Sequence, residues 1–309
     1  MTETWAPRRP VQIVAGTPPG GGLDRVARAI ARAMTETKLL DVPVDVVNVP
    51  GDGARRAWTA FVDLHPGDAH VLSISSPNLT TDYLVGIADF EHTKYTAVVT
   101  LVTEYIAFAV RADSELKTAG DLMARLAARP SEITVALSTA LGNPNHVALA
   151  KLTRIAGGDV NAPAIRVFDT ALDAVADVVA ERAHVCAVTA ASVLKEIAAG
   201  RLRVLAISAP ARLDGALAAA PIWSEQGVDC VIGAWRGVTG PAGLTEAQVQ
   251  FWERVVTAAA AQPVWREELA RLAWSPLLLT GAGLRAYLAQ ERADFVATLA
   301  DLGLLKRAL

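Results

Sequence analysis

The residues best suited to chemistry are three consecutive glycines that lie between a short apolar run and a helical pattern. Glycines let the backbone approach a ligand closely, and a helix start offers free N–H groups and the positive end of its dipole. The segment has neither the Gly-Lys-Ser/Thr of a Walker loop nor the spacing of a dinucleotide site. It therefore predicts a binding site for a carboxylate or a phosphate. The alternative is an ordinary tight turn in which Asp24 is only the acidic residue at the start of the helix. The candidate residues are Thr17, Pro19, Gly20, Gly21, Gly22, Leu23 and Asp24.

A second segment of the same kind follows the apolar run 133–137. Asn143 can cap a helix and Pro144 fits its first turn, so another helix is predicted to begin here. The segment ends in His146, and a lone histidine at a helix start is more often a structural hydrogen-bonding group than a catalyst. Because open α/β sheets bind ligands at the ends of their strands, the two helix starts predict an anion held between two domains. The candidate residues here are Ser138, Thr139, Leu141, Gly142, Asn145 and His146.

Other polar segments carry weaker signals. Ser75, Ser76 and Asn78 follow a third apolar run and offer neutral polar groups, although they suit a turn equally well. Ser192–Lys195 matches the S-x-x-K of some serine hydrolases, but the motifs that accompany it there are missing. The five histidines form no HExxH motif, and the two cysteines have no CxxC spacing. We therefore expect neither a metal nor a cofactor.

Short apolar runs alternate with longer helical patterns, which predicts an α/β fold with largely parallel sheets. The length of 309 residues suggests about two domains. Hydrophobic residues make up 52% of the chain, enough for a core in each. Thr245 and Gln248 have the spacing of a capping box. The predicted strands are 11–15, 44–47, 70–74, 96–102, 105–110, 133–137, 165–168, 184–188 and 202–207, and the predicted helices include 119–128, 171–180 and 284–301.

Charge and hydropathy exclude several classes of protein. The formal net charge is −3 and no run of Lys or Arg stands out, so we expect no nucleic-acid partner. No apolar run approaches the roughly 20 residues of a membrane helix. The polar start, Met1–Pro10, has no stretch like the apolar part of a signal peptide. We therefore expect a periplasmic protein if a leader precedes this sequence in the gene, and a cytoplasmic one if Met1 is the native start.

Several motifs occur in a fixed order along the chain: Pro19–Asp24, Asn48–Gly53, Gly142-x-x-x-His146 and Trp235–Gly237. In this order they resemble the Bug-type extracytoplasmic solute receptors of tripartite tricarboxylate transporters. The resemblance implies the type II periplasmic-binding-protein fold, in which two α/β domains are joined by two crossover strands with a ligand cleft between them. It places one domain at 1–103 plus 231–309 and the other at 104–230.

In such receptors the first glycine loop and the loop that ends in His146 hold a carboxylate by backbone and hydroxyl groups. The resemblance implies a monomeric binding protein and not an enzyme. Its partners would be a small-molecule carboxylate and the membrane subunits of a transporter. A bound carboxylate would favour a closed form because it touches both domains only there. Two alternatives stay open: a leaderless cytoplasmic sensor or carrier of the same fold, and an α/β enzyme that uses Asp24 and His146 on an acidic substrate.

The sequence departs from the family where side chains would face the ligand. Gly16-Thr17 replaces a usual Pro-Phe, and Leu23 replaces Thr or Ser. Residues 168–170 replace a usual Tyr-Lys/Arg-Gly, and the new acid, Asp169, would repel a second carboxylate if it faced the cleft. These departures favour a ligand with one carboxylate and a larger apolar part, such as an aromatic or branched acid, over citrate. The candidates added by this comparison are Phe168, Asp169 and Thr170.

Overall fold

The structure, a computed structural model, describes residues 5–89 and 92–307, so the first four residues of the polar start lie outside it. Within these residues ten strands and ten α-helices follow one another in the order that the α/β prediction requires. The strands are β1 (Val11–Ala15), β2 (Val44–Asn48), β3 (Val71–Ser75), β4 (Tyr95–Arg111), β5 (Thr134–Ser138), β6 (Ala164–Phe168), β7 (Val185–Thr189), β8 (Leu202–Ile207), β9 (Gly233–Pro241) and β10 (Ser275–Thr280). The α-helices are α1 (Gly22–Glu36), α2 (Arg55–Leu64), α3 (Asn78–Leu84), α4 (Ala119–Ala128), α5 (Pro144–Ile155), α6 (Ala171–Val179), α7 (Leu194–Ala198), α8 (Glu246–Ala260), α9 (Pro263–Leu272) and α10 (Gly281–Asp301).

Strand β4 is 17 residues long and belongs to both halves of the sheet. Its first part pairs with β9 and β10, and its second part, from Ile106 onward, pairs with β7 and β8, all antiparallel. Away from this centre, β1 lies parallel between β2 and β3, and β5 lies parallel between β6 and β7. We call the group β2-β1-β3-β9-β10 with the start of β4 the first sheet half. The end of β4 with β8, β7, β5 and β6 forms the second sheet half.

Two features of the sheet differ from the sequence prediction. The prediction of largely parallel sheets was wrong, since five of the nine pairings described are antiparallel. Three of the five involve β9 or β10, which run back along β3 or β4, and the other two join the second part of β4 to β7 and β8. The separate strands predicted at 96–102 and 105–110 are one strand. The residues between them, Thr103 and Glu104, pair with Trp235 and Ala234 of β9.

Each sheet half packs its own apolar core. In the first half, α1 and α8 pack against the strands, and the core buries Trp58 of α2, Trp252 of α8 and Trp265 of α9. In the second half, Phe108 packs edge-on against Trp223 with 5.5 Å between ring centroids. Large aromatic side chains of this kind dominate the energy of a core, so each half has the means to hold its own shape. In the described part of the chain, no helix is long and apolar enough to cross a membrane.

The parallel strands fix where a ligand can lie. The loops after β1 and β3 of the first half face the loops after β5, β6 and β7 of the second half, and a cavity separates them. The chain passes between the halves twice, along β4 and through the segment before β9. The α/β class and the two-lobed fold are thus those predicted from the sequence. The domain boundaries at 103/104 and 230/231 stay a prediction.

Candidate functional site

A cavity of about 70 Å³ lies where the loops of the two sheet halves meet. Its lining divides into two sets according to the half from which the residues come. The first wall consists of Thr17, Gly21, Gly22, Leu23, Arg25, Gly53, Ala54, Trp58, Ser76, Asn78, Ala234 and Arg236. The second wall consists of Ser138, Thr139, Asn143, Pro144, Asn145, Asp169, Thr170, Ala171, Leu172, Thr189 and Ser192.

The glycine loop is held in shape by Asp24, which is buried and is not part of the first wall. Its carboxylate accepts hydrogen bonds from the Gly20 amide (2.7 Å), from Arg28 Nε (2.9 Å) and from Asn48 Nδ2 (2.8 Å). The Asp24 amide in turn donates to Thr17 Oγ1 at 3.0 Å. A carboxylate with this many donors is committed to the protein. Asp24 therefore positions the loop.

The loop leaves two backbone donors available at the start of α1. The amides of Gly22 and Leu23 have no acceptor among residues 5–89 and 92–307, as expected for the first turn of a helix. Gly21 must be a glycine, because a Cβ there would lie 2.5 Å from the Thr17 side chain. Both free amides lie in the first wall, so this wall can bind an anion through its main chain.

The second wall begins at Asn143, which caps α5. Its side chain accepts from the His146 amide at 3.1 Å and donates to Ser138 O (2.7 Å) and Thr139 Oγ1 (2.6 Å). Asn145 donates to Ser138 Oγ at 3.0 Å. This network fixes the neutral hydroxyl and amide groups that face the cavity. The Asn145 amide N–H has no acceptor in the described structure, which gives the second wall a free backbone donor too.

His146 is buried behind this wall and does not line the cavity. Its Nδ1 accepts a hydrogen bond from the Gly142 amide at 2.9 Å. Burial lowers the pKa of His146 from 6.5 to about 4, so the ring is neutral at pH 7. Asp24 and His146 each hydrogen-bond other groups and do not bond to each other in the described structure. The acid–base pair considered from the sequence is therefore not formed.

The third helix start belongs to α6. Thr170 caps it, and its Oγ1 accepts from the Asp173 amide at 3.1 Å. Ala171 and Leu172 follow in the second wall, and Asp169 lies exposed at its rim. The N-termini of α1, α5 and α6 therefore meet at one cavity, and each brings the positive end of its dipole.

Two arginines of the first wall were missed by the sequence analysis. Arg25 lies in the first turn of α1, and Arg236 lies in β9, in the Trp-Arg-Gly motif that supported the family resemblance but received no role. Arg236 Nη2 donates to Glu104 Oε2 at 3.2 Å, and Trp274 Nε1 donates to Glu104 Oε1 at 2.7 Å. The sequence contained no local signal for these contacts, since Glu104 and Arg236 are 132 positions apart.

Side chains of the two walls also contact each other. Asn78 Nδ2 donates to Thr139 Oγ1 at 2.7 Å, and Arg25 Nη2 donates to Ser192 Oγ at 3.3 Å. Gly53 lies so close to the second wall that a Cβ on it would be 3.0 Å from the Thr139 side chain. The cavity is therefore bridged by direct contacts between the sheet halves.

The structure divides the predicted site residues into two groups. Those in the walls are Thr17, Gly21, Gly22, Leu23, Ser76, Asn78, Ser138, Thr139, Asn145, Asp169 and Thr170. Those outside the walls are Pro19, Gly20, Asp24, Ser75, Leu141, Gly142, His146 and Phe168.

The residues outside the walls have other surroundings. Pro19 and Gly20 are exposed at the tip of the glycine loop. Ser75 Oγ hydrogen-bonds Thr239 Oγ1 at 2.7 Å within the sheet. Leu141 is 42% exposed and lies outside the cavity lining.

Two further residues of this group pack against neighbouring elements. Gly142 packs near Val85, where a Cβ would lie 2.5 Å from Cγ1. The Phe168 ring lies under Arg166, whose guanidinium carbon is 5.7 Å from the ring centroid. The described residues contain no group of three or more side chains arranged to hold a metal ion.

Comparisons with known proteins cover nearly the whole chain. Residues 26–300 match the model of the tripartite tricarboxylate transporter family receptor. BugT of Bordetella pertussis is 26% identical over 305 residues, which cover 96% of this chain and 90% of BugT. A UPF0065 protein from the tcbD–tcbE intergenic region of a Pseudomonas species is 28% identical over 270 residues, covering 86% of this chain and 78% of that protein.

Solved structures of periplasmic binding proteins share the fold. BugD has a TM-score of 0.85 at 20% identity, covering 98% of this chain and 100% of BugD. MatC from Rhodopseudomonas palustris, solved with bound malate, has a TM-score of 0.80 at 21% identity, covering 95% and 100%. A second R. palustris protein, solved with adipate, has a TM-score of 0.83 at 21% identity, covering 96% and 98%. These similarities confirm the periplasmic-binding-protein fold predicted from the sequence. Because the family model matches most of its length, the chain belongs to the tripartite tricarboxylate transporter receptor family, as a Bug-type solute-binding protein and not an enzyme.

Proposed function

We propose that the chain captures a small monocarboxylate in the cavity between its sheet halves. The observation that carries this proposal is the meeting of three helix N-termini at one cavity. Gly22 and Leu23 of α1 and Asn145 of α5 bring backbone N–H groups without acceptors in the described structure. Such groups bind carboxylates well because the helix dipole adds to their hydrogen bonds.

The remaining surface of the cavity supports a ligand with an apolar part. Leu23, Trp58, Leu172 and Ala234 contribute apolar side chains to the two walls. Ligand pockets typically combine such a lining with a few placed polar groups. Asp169, at the rim of the second wall, would repel a second carboxylate placed near it. We therefore propose an aromatic or branched monocarboxylic acid as the preferred ligand, over citrate.

The relatives support the wider class of ligand. MatC was solved with malate and the second R. palustris protein with adipate, and both ligands are small carboxylates. These two ligands are dicarboxylates, so the preference for one carboxylate rests on this chain's own Leu23 and Asp169. Both residues lie in the cavity walls.

The proposed mechanism is a shift between open and closed forms. A ligand that contacts both walls favours the closed form, because it makes both sets of contacts only there. We propose that the domains divide at 103/104 and 230/231. We also propose that the protein acts as a monomer in the periplasm and that the membrane subunits of a tripartite transporter recognise its closed form. The family supports the periplasmic location and the transporter partner, since its members are receptors of such transporters and act outside the cytoplasm.

Isothermal titration calorimetry tests the proposed ligand class. The panel contains 3-phenylpropanoate, benzoate and 4-methylpentanoate, together with succinate, malate, adipate and citrate. We expect at least one monocarboxylate to bind at least tenfold more tightly than every di- and tricarboxylate. Asp169→Asn is the matched variant: it keeps the size of the rim side chain, removes its charge, and should narrow this difference. Tight binding of citrate or succinate without binding of any monocarboxylate would refute the proposed preference.

A further inference from the structure

We propose that Arg25 and Arg236 form a cationic subsite that binds the carboxylate of the ligand directly. This inference rests on the proposed function and deepens it, because it assigns side chains to a role so far given to the main chain. Both arginines line the first wall, although they come from distant parts of the sequence. Arg25 belongs to the first turn of α1, and Arg236 belongs to the central strand β9.

The Arg236 guanidinium lies beside the free backbone donors of the glycine loop. A Cβ built on Gly22 would be 3.8 Å from Arg236 Nη2 and, apart from its chain neighbours and the backbone of its own helix, would meet no other described atom within 4 Å. Gly22 therefore leaves open the space between the start of α1 and this guanidinium. A carboxylate in that space could accept hydrogen bonds from the loop amides and from an arginine at the same time.

The hydrogen-bonding capacity of both arginines is only partly used within the protein. Arg236, with its side chain 10% exposed, donates to Trp235 O and to Glu104. Arg25 donates through Nη2 to Ser192 Oγ across the cavity. The Nε atoms of Arg25 and Arg236 are buried and have no partner in the described structure. Buried donors of this kind are normally satisfied, so both guanidinium groups have hydrogen-bonding capacity that the described residues do not use.

The charges at the first wall are also out of balance. Two guanidinium groups share one buried carboxylate, Glu104, whose side chain is fully buried. Asp24 adds little to this balance, because its own ion pair is with Arg28 at 2.9 Å and its effect is the smallest of the causes acting on the pKa of Arg25. Burial lowers the pKa of Arg25 and Glu104 opposes this shift, while the charges of Arg236 and Arg271 lower the pKa further. One positive charge is thus left in excess, and one bound carboxylate would neutralise it.

The chemistry of the pair selects a particular ligand group. A guanidinium presents a planar fork of donors that matches a carboxylate in charge and shape. The neutral amide of the same acid has similar shape, but it offers one acceptor and no charge. The subsite should therefore discriminate between an acid and its amide, whereas backbone N–H groups alone would discriminate less.

The test compares each acid with its own amide, using 3-phenylpropanoate, benzoate and 4-methylpentanoate as probes in calorimetry. Arg25→Gln should weaken the binding of the acid by about 10- to 100-fold and leave the amide nearly unchanged. Arg25→Lys, which keeps the charge without the fork, should lose less. Arg32→Gln is the matched control, because Arg32 lies on the same helix but is exposed and pairs with Glu36.

A second variant changes affinity in the opposite direction. Glu104→Gln removes the ion-pair partner of Arg236 but keeps an oxygen that can accept from Trp274 Nε1. Acids should then bind at least threefold more tightly, with the amides unchanged. This gain cannot come from a damaged fold, which would weaken every ligand.

The outcomes separate the two proposals. If the wild-type protein binds no acid of the panel, the proposed function fails and the subsite falls with it. If acids bind and the ratio of acid to amide affinity is the same in wild type and Arg25→Gln, the subsite alone is refuted. A loss of acid binding in Arg32→Gln equal to that in Arg25→Gln would also refute it, since the effect would then be one of general charge.

Discussion

The two walls of the cavity are built from different chemistry. The first wall is backed by buried ionic groups, with Arg236 paired to Glu104 and Asp24 paired to Arg28. Behind the second wall the groups are neutral, since Asn143 and Asn145 bond to hydroxyl and carbonyl oxygens, and the charged Asp169 lies exposed at its rim. His146, buried behind this wall, is neutral at pH 7 because burial lowers its pKa.

This difference indicates that the two walls act at different stages of ligand binding. Ionic interactions act over a longer range than hydrogen bonds. The first wall, which we also call the charged wall, is therefore suited to attract a carboxylate first, and we call the second wall the neutral wall. Neutral donors and acceptors depend strongly on distance and angle, so the second wall is suited to test the shape of a ligand as the cavity closes.

The largest effect is expected from removing one member of the charged network. Arg236→Met leaves Glu104 buried without its ion-pair partner, which typically destabilises a protein by about 3–5 kcal/mol. In urea unfolding, the double variant Glu104→Gln/Arg236→Met should recover most of this loss. On the neutral wall, Ser138→Ala removes a hydroxyl that accepts from Asn145 and should cost only about 1 kcal/mol. Equal losses in the two single variants would contradict the difference between the walls.

A smaller effect concerns pH and a carboxyl group behind the charged wall. Glu291 of α10 accepts a hydrogen bond from Trp235 Nε1 at 2.6 Å. Burial raises its pKa from 4.5 to about 8, with the Trp235 bond opposing the shift. Between these values the folded protein holds a proton that the unfolded chain releases. The stability from this group is therefore complete below pH 4.5 and is lost as the pH rises through 8.

Glu291→Gln should remove this dependence, because the amide keeps an acceptor for Trp235 and cannot ionise. Urea unfolding at pH 5, 7 and 9 should show a smaller fall in stability for the variant than for the wild type. Some fall will remain, since burial also raises the pKa of Asp82 to about 7. Glu267→Gln, an exposed change, is the control. An unchanged slope in Glu291→Gln would show that this carboxyl ionises freely in the folded protein.

The sequence predicted the elements whose signals are local. Helix α4 occupies the predicted residues 119–128, and strand β8 the predicted residues 202–207. The capping box of α8 is formed in both directions between Thr245 and Gln248. These elements depend on periodicity and on groups three residues apart, and both can be read along the chain.

Strand β9 could not be predicted in this way. It contains three glycines and ends in a proline, residues that are depleted in strands. It forms because β4 and β3 supply partners for its backbone, and both lie more than 120 positions earlier. Glu104 looked like a break between two strands for the same reason, since the arginine that compensates its charge lies in β9.

The site shows the same limit. Glycines and polar residues after strands located the loops, because such positions are typical of ligand contacts in α/β proteins. An arginine in a helical pattern, such as Arg25, is typical of a solvent-exposed face, and the spacing of residues does not distinguish it from Arg32. Only the tertiary contact with Ser192 and the cavity lining that it shares with Arg236 of β9 place Arg25 at the cavity.

The smallest effect concerns the hydrogen bond that joins the two walls. Asn78→Ala removes the bond from Asn78 Nδ2 to Thr139 Oγ1, which is made only while the walls are in contact. A bond of this kind contributes about 1 kcal/mol, so ligand affinity should fall about fivefold. Thr139→Ala should cost more, because Thr139 also accepts from Asn143 within the second wall.

The double variant Asn78→Ala/Thr139→Ala separates these contributions. If the bond stabilises the closed form, the double variant should lose about 1 kcal/mol less affinity than the sum of the single variants, measured by calorimetry with the same acid. The stability of the ligand-free protein should show a smaller coupling, since an open form does not make the bond. Strictly additive losses of affinity would mean that the walls do not meet here in the bound protein. The neutral wall would then contribute through its ligand contacts alone, and the charged wall would account for a larger share of binding.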